Sequence, residues 1–77
     1  MTLNELQPNQ KATIRFIHLN ENHKKRLFCL GIYVGATIRL ESRAPLQDPS
    51  IYFVCGNQVV LRKQEASAID IEVEEIV

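Results

Sequence analysis

Apolar and polar residues first fall into step at Lys11. Ala12, Ile14 and Phe16 alternate with polar neighbours, after which the parity changes to Ile17 and Leu19. A change of parity inside one strand is the mark of a β-bulge, so residues 11 to 19 predict a bent strand suited to a small curled sheet. Next, Asn20 and Asn22 each carry a side-chain oxygen that can accept a free N–H at a helix start. Leu27 and Leu30 fall three apart, and Gly31 suits the left-handed position just past a helix end. A helix of about two turns over residues 22 to 30 follows.

Beyond Val34-Gly35, residues 37 to 44 place Ile38 and Leu40 on one face and Thr37, Arg39, Glu41 and Arg43 on the other, the pattern of a half-buried strand. Pro45 and Pro49 bracket a loop, because proline cannot donate to a ladder and restricts the residue before it. Residues 51 to 55 and 58 to 62 read as two strands joined at Gly56-Asn57, a two-residue hairpin signal. Residues 63 to 67 favour one helical turn, and Ile69, Ile71 and Val73 alternate with Asp70, Glu72 and Glu74 as a last strand.

Five short strands with one short helix after the first, and no spacing long enough for βαβ crossovers, predict a mainly β fold. A small, partly open antiparallel barrel is the expected form. Seventy-seven residues leave room for one core, hence one domain spanning residues 1 to 77.

Charge narrows the set of partners. Nine Lys and Arg balance nine Asp and Glu, so no uniform positive field would hold nucleic acid, and none is expected as a partner. The halves nevertheless differ, at +4 for residues 1 to 43 and −4 for residues 44 to 77. Apolar runs such as Leu27-Phe28-Cys29-Leu30 are far shorter than the roughly 18 residues of a membrane span, and no basic-then-apolar leader opens the chain. Direct membrane insertion is therefore not expected. The expected location is the cytoplasm, where Cys29 and Cys55 would stay reduced.

The soft metal-ligand candidates are His18, His23, Cys29 and Cys55, separated by four, five and 25 residues. No usual zinc spacing appears among them, and the two cysteines read as small core or rim residues. Neither a resident metal nor a cofactor is expected, although transition-metal binding is worth testing. No catalytic residues are expected either, since no triad order, phosphate loop or activated cysteine is present. Asp70, Glu72, Glu74 and Glu75 read as a solvated acidic face.

Arg26-Leu27, Leu30-Gly31-Ile32, Gly35, Ala44-Pro45-Leu46, Asp48-Pro49, Leu61-Arg62-Lys63 and Glu65-Ala66 stand in an order and spacing that resembles the FeoA family of ferrous iron transport accessory proteins. The match runs from about Leu3 to Val73. Gln47 and Asn9 stand where that family commonly has glycine, and Asn tolerates positive φ better than Gln does. The resemblance implies an SH3-like barrel without catalytic residues. Its implied partner is the cytoplasmic part of a FeoB-type membrane GTPase transporter, which would recruit the chain to the inner face of the membrane.

On the residues themselves, the expected contact surface is helix 22 to 30 with loop 45 to 49, carried by Arg26, Leu27, Leu30, Arg43 and Leu46. The outward face of strand 37 to 43, with Arg39, Glu41 and Arg43, is the next candidate. An SH3-like accessory domain of a metal-dependent transcription regulator, or another protein-interaction module, is the alternative role. A thiol-based carrier using Cys29 and Cys55 is a third.

Overall fold

The computed structural model describes residues 1–43 and 48–74. Its five strands form one antiparallel sheet: β1 (Lys11–Ile17), β2 (Thr37–Arg43), β3 (Ser50–Val54), β4 (Asn57–Leu61) and β5 (Ile69–Val73). Their spatial order is β4-β3-β2-β1-β5. Helix α1 (Glu21–Cys29) follows β1, the single-turn helix α2 (Lys63–Ala66) links β4 to β5, and a 3-10 turn (Leu3–Glu5) precedes β1. The mainly β architecture with one longer helix after the first strand is as expected.

Strand parity sorts the side chains. Ala12, Ile14, Ile38, Leu40, Tyr52, Val54, Val59, Leu61, Ile69 and Ile71 point into one core, closed by Leu27 of α1 and Ala66 of α2. The bulge in β1 is real: its pairing with β5 shifts register between Ile14 and Phe16. Arg15 and Phe16 both face outward there, and Ile17 returns to the core. Phe16 therefore does not join Ala12 and Ile14, because the slip falls before it rather than after it. A second shift, between Leu40 and Ser42, bends β2 against β3.

The β3–β4 hairpin turns one residue earlier than its sequence suggests. Val54 pairs with Asn57, so the two-residue loop is Cys55-Gly56, with φ of 51° and 80°. Two positive φ values match the right-handed twist of the flanking strands in a type I′ turn. Gly31 lies against this turn: a Cβ there would sit 3.0 Å from Cys55 Cβ, and its φ is +92°. Both the approach and the dihedral demand glycine.

The first ten residues carry no strand pattern, yet they complete the core. Leu3 and Leu6 are fully buried, and the segment is fastened by side chains from the sheet. The Tyr52 hydroxyl donates to the Leu3 carbonyl at 3.3 Å. Arg43 donates to the carbonyls of Asn4, at 3.0 Å, and Leu6. Asn9 takes φ of 65° and donates its N–H to the Leu40 carbonyl at 2.9 Å, so Asn serves well at that position.

Candidate functional site

Helix α1 runs from Glu21 to Cys29, one residue ahead of the expected 22 to 30, because Asn20 rather than Asn22 caps it. The Asn20 side chain accepts the His23 N–H at 2.8 Å. It ends in a Schellman motif, with the Ile32 N–H on the Leu27 carbonyl at 2.9 Å and the Gly31 N–H on the Phe28 carbonyl at 3.0 Å. Leu27 and Ile32, the two residues this motif brings together, are both buried. One residue on from Leu27 is a rotation of about 100° around the helix, so Phe28 points away from the core and is 65% exposed.

The chain reversal after Gly31 then lays Tyr33 beside Phe28, ring centroids 5.5 Å apart, with Val34 exposed next to them. On the facing side the β1 bulge supplies Phe16. Together Phe16, Ile17, Phe28, Ile32, Tyr33 and Val34 line a groove of about 290 Å³ with Lys24 and Lys25 on its rim. Lys24 Nζ lies 5.8 Å above the Phe16 ring, close enough for a cation–π attraction. Of the seven large apolar side chains exposed among the described residues, Phe16, Phe28, Tyr33 and Val34 gather here. Exposed apolar side chains gathered in this way make the groove the candidate contact site.

The residues expected from the sequence separate around this groove. Leu30 is exposed, 43% accessible, at the end of α1, and Arg26 lies on the exposed side of the helix. Leu27 is fully buried; it supports the helix from beneath and offers a partner no surface. Arg43 spends its guanidinium on the carbonyls of Asn4 and Leu6, which makes it a fastener of the N-terminal segment. Leu46 lies outside the described residues. Phe16, Phe28, Tyr33 and Val34 were not singled out, although the parity change at Phe16-Ile17 was a legible signal for the first of them.

Both cysteines are exposed rather than in the core. Cys55 is held out by its turn, and its thiol touches the Gly31 carbonyl at 3.6 Å and the Tyr33 hydroxyl at 3.9 Å. That contact raises the Tyr33 hydroxyl above the usual phenol value. Among the described residues no three of His, Cys, Asp and Glu gather as a metal site. Two of the expected acidic residues are paired across the β1–β5 ladder, Glu72 with Arg15 and Asp70 with His18, the latter at 2.7 Å.

Beside the groove, α1 is tied to α2. His23 Nε2 lies 2.7 Å from Glu65 Oε2 and Arg26 lies 3.3 Å from the same oxygen, while Glu65 Oε1 accepts the Arg62 N–H at 3.3 Å. Partial burial pushes the Glu65 carboxyl up, but the hydrogen bonds from His23 and the Arg62 N–H, with the charges of His23 and Arg26, outweigh it and hold the group below its ordinary value of 4.5. A carboxylate with a depressed folded-state pKa contributes stability that is complete above about 4.5 and is lost as pH falls through the folded value. Glu65→Gln is accordingly expected to cost about 1 kcal/mol at pH 7. It should also flatten the acid side of a plot of thermal midpoint against pH, measured from pH 6 down to pH 3; equal acid slopes for the two proteins would contradict this role.

Comparison with known proteins places this geometry. The FeoA domain matches residues 1–73. A fusion protein of Porphyromonas gingivalis, described as Fe(2+) transport protein A joined to the Fe(2+) transporter FeoB, is 33% identical over 72 residues, covering 94% of this chain. The chain spans 8% of that protein's length. The solution structure of iron(II) transport protein A from Clostridium thermocellum superposes with a TM-score of 0.90 at 32% identity, over 95% of this chain and 45% of that one. The crystal structure of FeoA from Stenotrophomonas maltophilia with zinc, described as a prokaryotic SH3 domain protein, superposes with a TM-score of 0.75 at 28% identity, over 94% and 89% of the two chains. The sheet is thus SH3-like, as expected.

Proposed function

This chain belongs to the FeoA family, and on that premise we propose that it serves ferrous iron uptake as a non-catalytic adaptor docking on the cytoplasmic part of a FeoB-type transporter. The observation that carries this reading is the aromatic groove. It exposes large rings that a chain of this size could have used in its core, and exposed, well-supported aromatics are the usual anchors of protein contacts. The fusion of the two modules in the Porphyromonas gingivalis relative supports the choice of partner, since one chain there holds both at high effective concentration.

The chain would stand at the inner face of the membrane through this contact. Among the described residues no helix is long and apolar enough to cross a membrane. As an adaptor it alters transport only through a difference in affinity for two states of its partner. Regulation is thus a matter of which transporter state presents a groove-filling segment.

Titration calorimetry of the purified chain into the isolated cytoplasmic part of a FeoB-type transporter tests the proposal. Saturable binding with a dissociation constant in the range of about 1 to 100 µM is expected for a contact of this size. No heat and no co-migration at concentrations above that range would overturn it.

A further inference from the structure

The outward face of the sheet carries a second feature, independent of the groove. Lys11 of β1 stands directly opposite Arg39 of β2 in the antiparallel ladder. Phe53 of β3 and Gln58 of β4 continue the same row across the sheet. Like charges placed opposite each other weaken a sheet. Among the described residues neither Lys11 nor Arg39 forms an ion pair, although Glu74, whose N–H donates to the Lys11 carbonyl at 2.9 Å, stands beside Lys11 on the β5 side of the ladder.

Arg39 does not escape this arrangement by swinging into water. Its guanidinium carbon lies 5.1 Å from the Phe53 ring centroid, and its Nε is shielded from solvent with no acceptor, alone in that condition among the described residues that are not exposed. The contact with the Phe53 ring holds the side chain there at the cost of that unpaired N–H. Glu41, two residues on along β2, accepts the Gln58 amide at 2.7 Å and forms no ion pair with Arg39. Lys11, Thr37, Arg39, Phe53 and Cys55 line a groove of about 220 Å³ in which no carboxylate takes part.

We propose that this groove is an oxyanion site, which takes a carboxylate or phosphate group between the Lys11 ammonium and the Arg39 guanidinium with the Thr37 hydroxyl beside them. The anion relieves the repulsion across the ladder and meets a guanidinium already oriented by Phe53, so little side-chain freedom is lost on binding. A guanidinium held against a ring beside a second cation can present its N–H groups to such a ligand in a fixed plane.

Amide spectra of the 15N-labelled chain, titrated with sodium phosphate, sodium acetate and sodium chloride at equal ionic strength, test the site. Phosphate or acetate is expected to give saturable shifts at Lys11, Thr37, Arg39 and Phe53, while chloride gives none. The anion that saturates at lower concentration tells a phosphate source from a carboxylate source. Arg39→Gln should weaken that binding by about tenfold, the worth of one charge-assisted hydrogen bond. If that variant loses its dispersed spectrum, Lys11→Gln is read in its place with the same expectation. Shifts that never saturate, that are alike for all three salts, that centre elsewhere, or that persist at full strength in a folded variant overturn the proposal.

Discussion

Leu27→Ala is expected to lower the stability of the fold by about 2 to 5 kcal/mol. Leu27 is fully buried, sits on the inward side of α1 and supplies, with Ile32, the apolar contact of the helix-ending motif. Its loss leaves a cavity between helix and sheet that the Schellman turn, locked by two backbone hydrogen bonds, cannot readily collapse. Alanine's better helix propensity recovers only a few tenths of a kcal/mol. Native domains are stable by about 5 to 15 kcal/mol and small ones stand at the low end, so a large part of the population would unfold. Urea unfolding followed by circular dichroism measures the change, with Leu27→Met, which keeps the volume, expected to lose less than about 1.5 kcal/mol. A loss below about 1 kcal/mol for Leu27→Ala would mean that α1 packs less tightly on the sheet than its burial indicates.

Phe28→Asp is expected to have the opposite profile. Phe28 is 65% exposed, so its removal should change folding stability by no more than about 0.5 kcal/mol. Binding to the transporter should fall by at least about thirtyfold, because the variant removes an aromatic anchor of about 2 kcal/mol and adds a charge to an apolar contact. Phe16→Asp on the opposite wall should behave alike. Lys25→Glu, at the rim, should act mainly on the association rate and lose its effect at high salt. The comparison is made by calorimetry on folded variants. A Phe28→Asp protein that binds as well as the original chain would remove the groove from the contact.

Much of the fold was legible because its signals are local. Asn20 before α1, Gly31 after it, the alternation of Ile69, Ile71 and Val73 in β5 and the parity change in β1 each act within a few residues, and each appears in the structure. The hairpin was displaced by one residue, since Gly56-Asn57 and Cys55-Gly56 both offer a glycine. Cross-strand pairing of Val54 with Asn57 decides between them, and the cost falls on Cys55, which takes a left-handed φ of 51° without being glycine. The burial of Leu3 and Leu6 has no local signal, because it depends on Arg43 and Tyr52 reaching back from distant strands.

The candidate site was harder to read for a related reason. Whether an aromatic residue is core or contact surface depends on which side of a bulge or helix it falls. Phe16 and Ile17 are neighbours on β1, yet the register shift puts one outside and the other inside. Leu27 and Phe28 are divided in the same way by the turn of α1. The sequence pattern favoured Leu30, exposed just past α1 but not lining the groove, Arg26, whose guanidinium turns to Glu65, and Arg43, whose charge is consumed by two carbonyl groups.

The most direct measurement is a residue-by-residue map of the contact: amide spectra of the 15N-labelled chain, recorded as the unlabelled cytoplasmic part of a FeoB-type transporter is added. The account predicts that the largest shifts and line broadening fall on Phe16, Lys24, Phe28, Tyr33 and Val34, with the edge strand β4 unaffected. Changes centred on β4 or on the outward face of β2, with Phe16 and Phe28 silent, would contradict it.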